Sequence, residues 1–383
     1  MAWNDKRVSI IILTYKNLGA LQRSVRSVCM QNYPHLEIVV TDDGTEAFDE
    51  KQIRSMIEGM RGTNIESVKV VHSEINTGTV QNLRRGLEVM SGDYYMTIGS
   101  DDALADQDTI SAVMRYACLY RWEPLLLTGQ LVMCDENLKR TGVALTPEDK
   151  AVLRSRNPEL LYSTLVFRCA IATVATVYRR DFPKIVDAYD TGYCYYEDYP
   201  TFLRMARKGI TPVFIDRDIA LHPAGGIANG GSYGSMEITE RFYRDREHMY
   251  QTEIQPYLSG QPRRIRTLLK RRRMYLKNQF LWDCYKLLDE NGKKKWTLKH
   301  PWKLYLSLEK GQSMVTRLQQ MGMLSLTMLC ALRASGLFSS WLEAFGELAL
   351  ATGAVFGLGA WILHEMLKAG KVLEQVWDEG NMY

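Results

Sequence analysis

The sequence lacks the features of a disulfide-stabilised or zinc-binding protein. Its seven cysteines are odd in number and widely scattered, and no two form a C-x-x-C pair, which excludes a disulfide framework and a cysteine zinc site. A net charge of +4 over 383 residues is too small to indicate nucleic-acid binding. The first apolar run is too short for a signal peptide. We therefore expect the folded part to lie in the cytosol.

The first 130 residues alternate between strand and helix patterns. Runs of β-branched and apolar residues predict strands, and apolar residues at helical spacing predict helices. The strands are expected at 8–14, 36–41, 68–72 and 94–98, and the helices at 18–30 and 80–90. This repetition predicts an α/β fold with a mostly parallel, Rossmann-like central sheet flanked by helices. In such sheets, ligands bind beyond the carboxyl ends of the strands.

Three acidic pairs are the most informative feature of the chain: Asp42-Asp43, Asp101-Asp102 and Glu197-Asp198. The first two follow predicted strands, and the third opens a predicted helix at 199–208. Adjacent carboxylates repel each other, so a cation or a hydrogen-bonding ligand between them stabilises them. Three such pairs predict a site for a metal-bridged polyanion. The plainer alternatives are an Asp-Gly turn, a helix N-cap and a favourable interaction with a helix dipole, respectively.

Four segments resemble the inverting, GT-A-fold glycosyltransferases of glycosyltransferase family 2. They cover roughly residues 6 to 235 and occur in the family's order: VSIIILTYKN, SVRSVCMQNYPHLEIVVTDDGT, NTGTVQNLRRGLEVMSGDYYMTIGSDD and YYEDYPTFLRMARKGI. The resemblance implies metal-dependent, inverting transfer of a sugar from a UDP- or dTDP-linked donor to a glycan hydroxyl. A bacterial surface polysaccharide is the expected product. A processive synthase is disfavoured because the Q-x-x-R-W motif is absent.

The resemblance also implies a role for each site residue. Asp198 would be the catalytic base that deprotonates the acceptor hydroxyl, and Glu197 would orient it or contact the acceptor. Mn²⁺ or Mg²⁺ would be bound by Asp101, Asp102 and His222. The implied nucleotide-binding residues are Thr14, Tyr15, Asp42, Asp43, Asn76, Gly78, Arg84 and Ser100. For the diphosphate contact Arg85 is an alternative to Arg84, and both could instead lie on a solvated helix face. His222 could equally be structural.

Two positions depart from the family pattern, the run Arg84-Arg85, where the family often has an arginine followed by an asparagine, and Gly99. Many members have an aspartate where this chain has Gly99, so the usual D-x-D-D reads G-S-D-D here. The missing carboxylate gives support to an alternative function, a catalytically silent nucleotide-sugar-binding or scaffold protein of a glycan assembly complex. The presence of Asp101, Asp102 and Asp198 favours the enzyme. A glycine-rich segment at 219–235 is expected to form a mobile lid.

The sequence after residue 235 changes character. We expect a transferase domain at 1–235, a basic helical extension at 236–313 and hydrophobic C-terminal helices at 314–383. Basic residues beside tryptophans are typical of segments that bind an anionic membrane surface, and a solvated helix face is the plainer alternative. The 16 uncharged residues at 348–363 fit a re-entrant hairpin, one short span or a homodimer-forming helix pair. We expect peripheral or monotopic attachment at the cytoplasmic face of the cell membrane, and a glycan or polyprenyl-diphosphate-linked acceptor.

Overall fold

The computed structural model describes residues 5–120, 123–223 and 235–299. Within these ranges, residues 5–120, 123–223 and 240–261 belong to one compact unit, and residues 235–239 and 262–299 to a second. Most of the expected lid, and all of the apolar C-terminal segments, lie outside the described residues.

One mixed sheet runs through the first unit. Its strands are β1 Val8–Thr14, β2 Leu36–Asp43, β3 Ile65–Ser73, β4 Tyr94–Gly99, β5 Ala103–Leu104, β6 Leu126–Cys134, β7 Arg140–Val143, β8 Thr176–Arg179 and β9 Val213–Pro223. The order across the sheet is β3-β2-β1-β4-β8-β6-β9-β5, and β7 pairs with β6.

The connecting segments are mostly helical. The α-helices are α1 Leu18–Cys29, α2 Glu50–Glu58, α3 Thr79–Val89, α4 Thr109–Cys118, α5 Pro147–Ser155, α6 Pro158–Leu165, α7 Phe182–Val186, α8 Tyr199–Arg207, α9 Met236–Met249, α10 Arg263–Lys286 and α11 Glu290–Lys299. Two 3-10 helices span Thr173–Ala175 and Gln255–Gly260, and a π-helical turn spans Tyr250–Ile254.

Strand β1 lies at the centre of the parallel part of the sheet. It pairs in parallel with β2 on one side and with β4 on the other, and Val8 lies opposite both Leu36 and Tyr94. The strand is buried throughout except at Leu13, which is half-buried. A strand covered on both faces needs a continuous apolar run, and VSIIILT supplies one.

The predicted strands and helices of the first 100 residues are all present, and the α/β fold is confirmed. Beyond β4 the sheet is less regular than the pattern indicates. β8 runs antiparallel to both β4 and β6, whereas β6 and β9 are parallel. The sheet therefore combines a parallel half, β3-β2-β1-β4, with a mixed half.

The described segment after residue 235 consists of helices α9, α10 and α11 and of the π-helical and 3-10 turns that lie between α9 and α10. The α-helix α9 ends at Met249, and the π-helical and 3-10 turns follow it. Pro256 lies at the start of the 3-10 helix, where it has no N–H to continue an α-helical ladder. Helix α10 contains the predicted basic run. None of the helices within the described ranges has the length and apolar character needed to cross a membrane.

Helix α3 packs unusually close to the parallel strands. At Gly86 in its middle, an added Cβ would lie 2.7 Å from a methyl carbon of Ile11 and 3.3 Å from one of Thr41. The buried Asn82 on the same helix face donates from Nδ2 to the carbonyl oxygen of Thr41 at 3.1 Å, and its Oδ1 accepts from the hydroxyl of Thr41 at 2.6 Å. These contacts fix α3 against the carboxyl end of β2.

Gly86→Ala should destabilise the protein although alanine is the better helix former. We expect a loss of about 1–3 kcal/mol in the free energy of unfolding, because the added methyl group overpacks the contact between helix and sheet. Gly19→Ala in α1, where nothing lies within 4 Å of the added Cβ, is the matched control. It should gain about 0.5–1 kcal/mol. Urea unfolding of both variants measures the difference, and equal gains would contradict the close packing.

Candidate functional site

A cleft of about 440 Å³ lies at the carboxyl edge of the parallel strands. Eleven of the thirteen residues predicted for the site line it, and they include at least one member of each acidic pair. They are Thr14, Tyr15, Asp43, Asn76, Gly78, Ser100, Asp101, Asp102, Glu197, Asp198 and His222. The remaining two, Asp42 and Arg84, do not line the cleft. Segments separated by more than 150 residues therefore contribute to one concave surface.

Asp43 organises the loop that precedes α3. Its Oδ1 accepts from the backbone N–H of Thr77 at 3.1 Å, the hydroxyl of Thr77 at 2.7 Å and Nη2 of Arg85 at 2.5 Å. Its Oδ2 accepts from the N–H of Gly78 at 2.7 Å. Gly78 has a φ of +93°, a left-handed value that favours glycine. Asp43 thus fixes the turn that lines one end of the cleft, and Arg85 stabilises its negative charge.

Asp42 is fully buried and supports the same end of the cleft from behind. Its carboxylate accepts from the N–H of Thr45 at 2.8 Å and the hydroxyl of Thr45 at 2.6 Å, and it pairs with Nδ1 of His72 at 2.9 Å. Arg84 lies on another face of α3, where Nη1 donates to the carbonyl oxygen of Tyr189 at 3.2 Å. A nucleotide contact by either residue stays a prediction.

The middle acidic pair divides into two environments. Asp102 is buried, and its carboxylate accepts from the N–H of Gly99 at 2.6 Å and lies 2.6 Å from Nδ1 of His222. Asp101 is half-buried and lines the cleft. Burial, followed by the negative charge of Asp102, raises the pKa of the Asp101 carboxyl above its usual value. The absence of a side chain at Gly99 makes room here, since an added Cβ would lie 2.8 Å from Oδ1 of Asp101.

The third pair lies where α8 begins. Asp198 is the N-cap of α8, and its Oδ1 accepts from the N–H of Tyr199 at 2.5 Å. Its Oδ2 accepts from the hydroxyl of Thr173 at 2.5 Å. Burial raises the pKa of Asp198, although both hydrogen bonds oppose that effect. Burial and the charge of Asp198 raise the pKa of Glu197 well above its usual value. Two carboxyls in one enclosed place favour a shared proton.

Sequence reasoning missed several residues of the cleft. Thr173 and Val174 come from a 3-10 helix, and no local pattern in the sequence marks them. The aromatic residues Tyr195, Tyr196 and Phe242 also line the cleft. The tyrosines were detectable in principle, because an aromatic doublet directly precedes Glu197. Phe242 was not, since it lies more than 40 residues further along the chain.

The family comparison agrees with this geometry. Residues 9–121 match the model of glycosyl transferase family 2, a range that contains the first two acidic pairs. The chain carries a glycosyl transferase family 2 domain.

Curated relatives of the domain are glycosyltransferases by name. A PGL/p-HBAD biosynthesis glycosyltransferase of Mycobacterium tuberculosis is 26% identical over 137 residues, which are 35% of this chain and 50% of that protein. A putative colanic acid biosynthesis glycosyl transferase of Escherichia coli is 23% identical over 26% of this chain and 34% of that one. The chain thus spans about half the length, or less, of these relatives.

A solved structure extends the likeness to the fold. TarS residues 1–349 of S. aureus, crystallised in complex with UDP-GlcNAc, superpose with a TM-score of 0.50 at 16% sequence identity. The match covers 97% of this chain and 92% of that one. At this identity the likeness concerns the fold alone, and it agrees with the GT-A fold expected from the sequence.

Glu197→Gln should stabilise the protein, and more so at high pH. Because the pKa of Glu197 is raised on folding, the folded state binds its proton more tightly than the unfolded chain. Stability that depends on this group is therefore present at low pH and is lost as pH rises through the folded pKa. Glutamine does not titrate, so the variant should avoid that loss. We expect a melting temperature above that of the wild type at pH 8, and a smaller difference at pH 4.5.

Thermal unfolding in metal-free buffer at both pH values measures this effect. Glu46→Gln, at an exposed position, is the matched control and should leave both melting temperatures unchanged. A Glu197→Gln variant that is less stable than the wild type at pH 8 would contradict the burial of an uncompensated charge at this position.

Proposed function

We propose that the protein transfers a sugar from a nucleoside diphosphate sugar to a hydroxyl group of a glycan acceptor, one residue at a time and with inversion at the anomeric carbon. The observation that carries the proposal is the convergence of members of all three acidic pairs on one cleft in a chain with a family 2 domain. Each pair has a different environment, and each environment suits a different part of this reaction.

Asp198 is the proposed base. An alcohol is a weak nucleophile at neutral pH, so a positioned carboxylate must take its proton during attack. Thr173 and the N–H of Tyr199 hold the two oxygens of Asp198 in a fixed orientation. A pKa raised by burial makes the carboxylate a stronger base than an aspartate in water. Inversion requires attack from the side opposite the leaving diphosphate.

The nucleotide is proposed to occupy the end of the cleft around Thr14, Tyr15 and Asp43. The hydroxyl of Thr14 is buried there and has no hydrogen-bond partner among the described residues, which leaves it available to a ligand. Asp43 accepts one protein donor on Oδ2 and three on Oδ1, so Oδ2 retains capacity for the N–H of a uracil or thymine base. This capacity is compatible with the UDP- or dTDP-linked donor that the family resemblance implies.

The residues of the middle pair fit a divalent cation. Carboxylate oxygens from Asp101 and Asp102 and an imidazole at His222 are ligand types that Mn²⁺ accepts, and the carboxylates alone suit Mg²⁺. The raised pKa of Asp101 indicates negative charge that the protein does not fully compensate, which a cation would relieve. Within the described ranges, no three His, Cys, Asp or Glu side chains are already arranged around a metal position. When bound, the cation would neutralise charge on the departing diphosphate.

A lipid-linked acceptor at the cytoplasmic face of the membrane is part of the proposal. Its support is the sequence of α10, in which a net basic run is interspersed with leucines. Such a segment is attracted to anionic lipid headgroups.

A panel of nucleotide sugars with Mn²⁺ or Mg²⁺ tests the function. The panel should begin with UDP- and dTDP-linked sugars, with and without polyprenyl-diphosphate-linked acceptors, and nucleoside diphosphate release is the readout. Asp198→Asn should abolish transfer and leave donor binding nearly intact, because the amide cannot accept the proton. Near-normal turnover by Asp198→Asn would overturn the assigned base. Donor binding without any release across the panel would favour the catalytically silent protein.

Gly99→Ala should weaken metal binding with little effect on stability. The added methyl group would meet Oδ1 of Asp101 at 2.8 Å and Oδ2 of Asp102 at 3.1 Å. Asp101 can rotate away, so the fold tolerates the change, but the carboxylate then leaves its position. We expect the Mn²⁺ concentration for half-maximal activity to rise about tenfold or more. Metal titration of activity and of calorimetric binding measures it, and unchanged affinity would contradict a metal position beside Asp101.

A further inference from the structure

A buried carboxylate outside the three acidic pairs holds the backbone of the cleft wall. Asp245 on α9 is 4% exposed. Its two oxygens accept from the backbone N–H of Cys194 at 2.9 and 3.1 Å, and Oδ2 also accepts from those of Tyr195 at 2.6 Å and Tyr196 at 3.1 Å. Three consecutive amides therefore converge on one side chain about 50 residues away in the sequence.

The loop at 194–196 connects the two ends of the cleft. At its start, the carbonyl oxygen of Cys194 accepts from the N–H of Val80 at 3.2 Å. Cys194 also packs closely on Gly78, where an added Cβ would lie 2.5 Å from Sγ of Cys194. Gly78 is in turn held by Asp43. At its end, the loop runs directly into Glu197. The position of the proposed base pair is therefore tied to the backbone that Asp245 holds.

The same face of α9 also holds the side chains of this loop. Phe242 lies three residues before Asp245, which places both on one side of the helix. Its ring stacks on Tyr195 with centroids 4.5 Å apart and an interplanar angle of 9°, and it meets Tyr196 edge-on at 6.0 Å. All three rings line the cleft. The helix thus fixes both the backbone and the aromatic side chains of the loop.

We propose that Asp245 is a positioning residue, which holds loop 194–196 and thereby sets the place of Glu197 and Asp198 in the cleft. The effect of Asp245 on catalysis rests on the proposed function. Its hydrogen bonds to the loop do not depend on that proposal. Asp245 accepts hydrogen bonds from the backbone amides of the loop, and its negative charge also contributes to the raised pKa of Glu197. Asp245→Asn removes the charge that strengthens these hydrogen bonds and replaces one acceptor oxygen with an NH2 donor, which weakens the hold on the three N–H groups and frees the loop to move relative to Thr173, the partner of Asp198.

The test compares Asp245→Asn with Glu37→Gln. Glu37 is also a buried carboxylate that accepts several hydrogen bonds, among them those from the hydroxyl of Ser9 at 2.6 Å and the N–H of Ser91 at 2.7 Å. It lies near the start of β2, at the opposite edge of the sheet from the cleft. Both variants should lose stability. A difference between Asp245→Asn and the control Glu37→Gln therefore does not come from lower stability alone. Asp245→Glu, which keeps the charge on a longer side chain, replaces Asp245→Asn if that variant does not fold.

Two measurements decide the proposal. Hydrogen exchange of the amides at 194–196, together with the alkylation rate of Cys194, reports the loop without any substrate. Both rates should rise in Asp245→Asn and stay at the wild-type level in Glu37→Gln. With the donor and acceptor found by the panel, kcat should fall about 10- to 100-fold in Asp245→Asn. The KM for the donor should change little, and Asp245→Glu should recover part of the loss.

The outcomes separate this inference from the proposed function. Unchanged exchange at 194–196 in Asp245→Asn overturns the grip on the loop. If the loop is loosened in Asp245→Asn but its kcat equals that of Glu37→Gln, the positioning role is overturned, because Asp245 would then be purely structural. If the wild type transfers no sugar from the panel, the proposed function fails while the exchange experiment still tests the grip.

Discussion

The cleft depends on one interaction, the capture of backbone N–H groups by buried and half-buried carboxylates. Asp43 accepts amides from the turn before α3, Asp102 accepts that of Gly99, and Asp198 accepts the first amide of α8. Asp245 accepts three more from the loop that leads to Glu197. A buried carboxylate is costly without donors, and a loop amide is costly without an acceptor. The hydrogen bond between a carboxylate and a loop N–H removes both costs. It also fixes irregular backbone in one conformation, which gives the cleft a defined wall.

This interaction divides the acidic residues into two kinds. Some have most of their acceptor capacity taken by the protein and hold the chain in place, as Asp42 and Asp102 do. Others lie in the cleft with a raised pKa, as Asp101 and Asp198 do. The pair Asp101-Asp102 at the end of β4 contains one residue of each kind. Two acidic residues that are adjacent in the sequence therefore need not have the same role. At the end of β4, Asp102 is therefore largely committed to Gly99 and His222, whereas Asp101 remains available to a ligand.

Much of the fold and of the site could be predicted because their signals are local. The VSIIILT run and the doublets at strand ends are legible within a few residues, and parallel topology alone brings strand ends to one edge. Contacts across the chain were not predictable. Arg84 and Arg85 point about 100° apart around the axis of α3. Only Arg85 lies on the same face as Asn82, and it therefore reaches Asp43. Asp245 and Thr173 lie in segments whose sequences give no sign of their distant partners.

The loop held by Asp245 has a consequence for how such a cleft can change over time. A carboxylate that binds main-chain amides imposes no requirement on which side chains those residues carry, since every residue except proline supplies an N–H. Tyr195 and Tyr196 can thus be exchanged for other residues while the main chain, and the carboxylates that follow it, keep their place. Substitutions at these positions can then alter the side chains that line the cleft while the backbone hydrogen bonds to Asp245, which involve different atoms of the same residues, are kept.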